Sequence, residues 1–153
     1  TLQELNLLSP EYIVFKNIKF EGLYGNIDFV VVGPTGIYLV ESKKVSGLIV
    51  FDGKELLCNG KLIGKTGVIY SVRDQYWKLH NYLKSALKED LFVLPIIVFV
   101  NGNFKVEFGF SPIAEQTRVI HLSDLHKFIN SQPHYVYKIP VEEVRKVISN
   151  LQM

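Results

Sequence analysis

Apolar and polar positions change period several times along the chain, and each change marks an element. Leu2, Leu5 and Leu8 recur at helical spacing, which predicts the last two turns of a helix whose start lies upstream, stopped by Ser9-Pro10. Tyr12–Phe20 alternates and reads as a strand. Gly22, Gly25 and Asn26 mark a turn. Ile27–Val32 is a strong strand closed by Gly33-Pro34-Thr35-Gly36, and Ile37–Lys43 is its antiparallel hairpin partner. After Val45-Ser46-Gly47 come two short β segments, Leu48–Phe51 and Glu55–Cys58, joined by Asp52-Gly53-Lys54, and a third near Leu62-Ile63. From about Ile69 to Lys88 the period becomes helical, with Val72, Tyr76, Leu79, Leu83 and Leu87 on one face. Phe92–Val100 is almost wholly apolar, the mark of a strand buried on both sides. Phe104–Phe110 reads as a peripheral strand or loop and Arg118–Leu122 as a short buried strand. Ser123-Asp124 caps a helix to about Asn130, and Pro140 opens a last helix ending near Leu151.

These elements predict one α/β domain over residues 1–153, without repeats or linkers. At 153 residues a single domain buries ~68–70% of the surface its unfolded chain exposes. The longest apolar stretch, Leu91–Val100, is short of the ~20 residues of a bilayer span, so no membrane partner is expected. One cysteine, Cys58, cannot form an internal disulfide, which favours a reducing, cytoplasmic compartment. No leader is visible ahead of Thr1, and the one cysteine and four histidines lack zinc-site spacing. The net charge of +2 permits a polyanionic partner without demanding one.

Three polar residues break otherwise apolar strands. Asp28 is second in a strand of Ile, Phe and valines, and Glu41 and Lys43 stand two apart near the end of the next. That spacing puts both on the face begun by Ile37 and Leu39, the face expected against a helix. A tight hairpin lets Asp28 meet Glu41 at its open end. Two carboxylates and a backbone carbonyl can hold Mg²⁺, which acidifies a water and neutralises phosphate charge. A lysine beside them can orient that water or stabilise charge on the phosphoryl oxygens. The plain alternative, an ion pair of Lys43 with Glu41 or Asp28, is the commoner meaning of such a trio. Burial inside apolar strands weighs against it, because an unpaired buried charge is costly.

Gly25 to Gly47, with its Gly-Asn-Ile-Asp strand, Gly-Pro-Thr-Gly turn, Glu-Ser-Lys strand and following glycine, resembles the nuclease-related domain of the PD-(D/E)xK endonuclease superfamily. The resemblance covers roughly Pro10 to Val100, and more faintly the remainder. It implies a restriction-endonuclease-like fold: a central mixed sheet with an inserted β-hairpin, flanked by helices. It implies a metal-dependent DNA endonuclease or nickase using Mg²⁺ or Mn²⁺, with Asp28, Glu41 and the Ser42 carbonyl as ligands and Lys43 positioning the attacking water. The family's helix after the small hairpin opens Asn-Pro-x-x-Gln; here Ser71-Val72-Arg73-Asp74-Gln75 replaces it and Gln75 alone carries over. As a reading of residues, Gln75 is equally a core-edge amide or a group reaching the water or phosphate. The superfamily also has a glutamate on its first helix. Glu4 and Glu11 are available here, but neither stands at that position.

Contacts to DNA, or to RNA as the other polyanion, are expected from Lys44, Lys65, Arg73, Lys78 and the stacking face of Trp77. Lys54, Lys61 and Lys84 share the same basic segment, for which the alternative is a solvated helix face. Two alternatives accompany the endonuclease reading. One is a structure-selective nuclease of the Holliday-junction-resolvase kind, which requires a homodimer. The other is a non-cleaving nucleic-acid-binding or interaction module. Either suits a chain fused to, or working with, another DNA-processing protein.

Overall fold

The computed structural model describes residues 1–21, 25–104 and 116–152, with the backbone alone at 102–104. Its elements run α1 (Leu2–Leu5), β1 (Ile13–Ile18), β2 (Ile27–Gly33), β3 (Gly36–Phe51), β4 (Leu56–Cys58), β5 (Lys61–Leu62), α2 (Val68–Leu87), β6 (Val93–Phe104), β7 (Arg118–His121), α3 (Leu125–Ser131) and α4 (Val141–Ser149), with a 3₁₀ turn at Leu122–Asp124. They form an α/β fold in which one mixed sheet is flanked by helices, as a restriction-endonuclease-like fold requires.

The long strand β3 organises the sheet. Its first half pairs antiparallel with β2 on one side and parallel with β6 on the other; its far half carries β4 and then β5. β1 pairs antiparallel with β2, and β7 pairs parallel with β6. Over Gly36–Glu41 of β3 and Val93–Phe99 of β6 both faces are covered, which is why these stretches run apolar rather than alternating. Odd positions Ile37 and Leu39 pack with Val30, Val32, Phe99 and the buried faces of α2 and α4. Even positions Tyr38 and Val40 pack with Val31, Ile96, Val98 and with Leu5, Leu125 and Ile129 of α1 and α3. The hairpin turn is pinned from below: Thr35 Oγ1 takes the Tyr38 hydroxyl at 2.7 Å, meets the Tyr12 hydroxyl at 2.8 Å and donates to the Ile129 carbonyl at 3.0 Å.

The structure departs from the sequence reading in several places, one being that β6 runs on past Val100 to Phe104. The strands expected at Ile37–Lys43 and Leu48–Phe51 are one continuous β3, whose register against β6 shifts between Lys43 and Lys44 and again before Leu48. Gly47 makes this possible: its φ is +142, and a Cβ there would lie 2.4 Å from Asn59 Nδ2, whose Oδ1 accepts the Leu48 N–H at 2.9 Å. The opening helix spans only Leu2–Leu5, and Leu7 faces solvent. Strand β1 ends at Ile18 rather than Phe20. The turn before α3 is held by the His121 ring, which accepts from Ser123 N, and not by a side-chain cap from Asp124. The segment expected at Phe104–Phe110 lies, beyond Phe104, outside the described residues. Among the described residues no helix is long and apolar enough to cross a membrane.

Candidate active site

The β2–β3 ladder closes at Phe29 opposite Val40, and the same register carried one step further sets Asp28 across from Glu41. There the side chain replaces the backbone: Asp28 Oδ2 accepts the Ser42 N–H at 2.9 Å. Glu41 continues the face of Ile37 and Leu39 and is buried under α2. Gln75, also buried, donates from Nε2 to Glu41 Oε2 at 3.3 Å. Lys43, its side chain about one-third exposed, has Nζ 3.6 Å from Glu41 Oε1. Thr1 Oγ1 meets Ser42 Oγ at 2.6 Å, so the start of α1 borders the group. Asp28, Glu41, Ser42, Lys43 and Gln75 are thus brought together at the open end of the hairpin, next to the register shift that follows Lys43.

Burial, then the Asp28 carboxylate beside it, push Glu41 up to about 7 against the pull of Lys43 and the Gln75 amide. Burial also raises Asp28, opposed by the Ser42 N–H and by Lys43. One lysine against two carboxylates leaves negative charge over. Gln75 Oε1, also buried, has no hydrogen-bond partner among the described residues, although buried amide oxygens are nearly always satisfied. The ion pair is therefore present but incomplete. It leaves unexplained the second carboxylate and an acceptor aimed at no donor.

Those features fit a hard divalent cation. Two carboxylates, a nearby backbone carbonyl and a free amide oxygen are the oxygen donors Mg²⁺ takes, and such ions keep several waters. Among the described residues no three His, Cys, Asp or Glu side chains gather to hold a metal. Neither early glutamate joins the pair. Glu4 bonds His126 of α3, and Glu11 is exposed, its carbonyl taken by Arg145.

The residues expected to contact nucleic acid divide. Lys44 is exposed one step beyond Lys43, and Lys78, half-buried, lies about 60° around α2 from Gln75. Arg73 and Trp77 stand about 160° around the helix from Gln75, facing away from the sheet. Trp77 there packs edge-on against Tyr76 and His80. Lys65 is exposed in the turn before α2.

Sequence reasoning missed the buried Glu55. Its carboxylate accepts from Ile69 N at 2.7 Å and Tyr70 N at 3.1 Å, and so caps the helix that carries Gln75. It missed Lys16 and Asn17 of β1, which line a cavity with Asp28 and Ser42. The backbone of Asn17, at φ +54, was foreshadowed only by asparagine's tolerance of that region.

No curated protein and no solved structure matches the chain. The family model described as the nuclease-related domain matches residues 1–100, which span every element from α1 to most of β6, and with them Asp28, Glu41, Lys43 and Gln75. The chain belongs to the nuclease-related domain family.

Proposed function

We propose that this protein is a Mg²⁺- or Mn²⁺-dependent DNA endonuclease or nickase whose site is Asp28, Glu41, Lys43 and Gln75, within one nuclease-like domain. The observation that carries the reading is the convergence of two proton-hungry carboxylates, one lysine and an unsatisfied amide oxygen at the end of a hairpin. Packing of Val144 and Ile148 of α4 into the core shared by β2, β3 and α2 supports counting the elements after β6 in the same unit.

Asp28 and Glu41, with the Ser42 carbonyl, would hold the cation, which when bound acidifies water and offsets phosphate charge. The Ser42 N–H fixes the Asp28 carboxylate through Oδ2, and Asp28 lines the adjoining cavity. Lys43, partly exposed, reaches from the buried Glu41 towards solvent, where its ammonium positions the attacking water and meets charge building on the phosphoryl oxygens. Gln75 orients Glu41 through Nε2, and Oε1 is free to accept a hydrogen bond from that water.

Nicking of supercoiled plasmid tests this. Wild-type protein converts plasmid to open circles only with Mg²⁺ or Mn²⁺, and Lys43→Ala and Asp28→Asn, folded by circular dichroism, do not. Equal nicking by all three would remove the assignment. Binding without cleavage moves the chain to the binding-module reading, and cleavage confined to four-way junctions by a dimer moves it to the resolvase reading.

A further inference from the structure

Beside the candidate site, on the α1 side of the sheet, a cavity of about 410 Å³ is bounded by Thr1, Lys16, Asn17, Asp28 and Ser42. Asp28 and Ser42 of the candidate site line it and Glu41 and Lys43 do not, so it opens on one side of the reacting centre. At ~30 Å³ per liquid water, it has room for a phosphodiester group and its hydration.

Two features of this wall have no use in the roles given above. Lys16 pairs with Phe29 and Ile18 with Ile27, so Asn17 stands directly across from Asp28. It makes no ladder pair there, because its φ is +54. Left-handed backbone is uncommon for a residue with a Cβ and costs of order 1 kcal/mol; this instance lies within one strand of the site. The second feature is charge. Lys16 is exposed and, among the described residues, has no carboxylate partner, whereas Asp28 lines the same cavity. A divalent cation held by Asp28 and Glu41 would serve the phosphate that is cut, so the Lys16 charge, set apart on the far wall of the cavity, is left for a neighbouring one.

We propose that Lys16 and Asn17 form a seat for a DNA phosphate neighbouring the bond that is cut, a role that rests on the nuclease reading and extends it. The Lys16 ammonium faces a non-bridging oxygen. The left-handed turn at Asn17 takes its amide out of the strand's alternation and frees it to donate a hydrogen bond to the same group. Such a contact is to the backbone and carries no base sequence.

The test is the salt dependence of binding to a short labelled duplex, with Ca²⁺ replacing the cleaving ion. One phosphate contact contributes a slope of about 0.9 in log Kd against log salt, so between 50 and 200 mM salt the wild-type Kd rises about 3.5-fold more than that of Lys16→Ala. Lys16→Arg keeps the wild-type slope, as does Lys138→Ala at the far end of the sheet. Asn17→Gly relieves the left-handed backbone and removes the amide, so its melting temperature holds or rises while its affinity falls. A wild-type slope in Lys16→Ala, or unchanged affinity in Asn17→Gly, overturns the seat; with plasmid nicking intact, the nuclease reading survives that loss. A reduced slope in Lys16→Ala, in a protein that never nicks, keeps the seat and removes the nuclease. Displacement of duplex by inorganic phosphate, but not by chloride of equal ionic strength, makes it a free-phosphate site and overturns the DNA assignment.

Discussion

Gln75 is committed at one end and free at the other: Nε2 donates to Glu41 Oε2 across 3.3 Å, while the buried Oε1 has no partner among the described residues. A core amide that existed only to satisfy Glu41 would bury its oxygen against a donor. The asymmetry instead gives Gln75 two separable effects, one on the carboxylate and one on whatever occupies the site.

Gln75→Ala removes a donor that favours ionised Glu41, so the carboxyl rises further above its present value of about 7. Nicking is expected to fall roughly 10–100-fold, the usual loss when a partner of a ligating carboxylate is removed. The alkaline-going rise of the pH–rate profile shifts to higher pH. A lower rate with an unmoved profile would mean that Gln75 acts on the substrate alone.

Glu41 has an ordinary value of 4.5 and is pushed up to about 7 in the fold, so the native state holds this proton more tightly than the unfolded chain. The sign follows: native stability is greatest below about pH 4.5 as far as this group is concerned, and falls as pH rises towards 7, by at most roughly 3 kcal/mol. Asp28 shifts in the same direction. A divalent cation competes with those protons, so the gain in melting temperature on adding Mg²⁺ is larger at pH 8 than at pH 6. Scanning calorimetry at both values, with and without Mg²⁺, checks this; an equal gain at the two would refute it.

Helix α2 depends on a residue outside it. Glu55→Ala strips the N–H groups of Ile69 and Tyr70 of their acceptor at a buried end, at about 1–3 kcal/mol, or roughly 2–12 °C in a domain of this size. Gly67→Ala is expected to destabilise as well: a Cβ there meets the Glu55 carboxylate at 2.4 Å, and φ is +94. Because the clash needs Glu55, Gly67→Ala costs less in the Glu55→Ala background. A double-mutant cycle by urea denaturation reads that coupling; strict additivity would show that the two do not touch.

The parts of the fold written locally were legible. Alternation, the Gly-Pro-Thr-Gly turn and the heptad-like stripe gave β2, the start of β3 and α2, the last to within one residue at each end. Asp28, Glu41 and Lys43 stood out because polar groups inside apolar strands demand a reason. What was not legible depends on tertiary partners. The continuity of β3 through Lys44–Gly47 is set by its shifted register on β6. The cap at Glu55 lies 14 residues from the N–H it satisfies. Lys16 sits where an alternating strand normally puts a solvated side chain, so nothing in the sequence distinguished it from Lys19. Arg73 and Trp77 were grouped with the site by nearness in sequence, and the helical turn carries them to the far side of α2.

The parallel pairing of β3 with β6 also governs how the molecule is made. Ile37 and Val93 lie side by side yet 56 positions apart in the chain, so this contact closes late and slowly, after the β2–β3 hairpin has formed. Until β6 arrives, the middle strand of the finished sheet is an outer one, apolar on both faces over Ile37–Val40 and unpaired along one edge. Unpaired edges of that kind recruit other chains. Copies that end before β6 therefore carry Asp28, Glu41 and Lys43 on a hairpin that sticks to its neighbours, and newly made protein needs β6 in place before that edge is safe from aggregation.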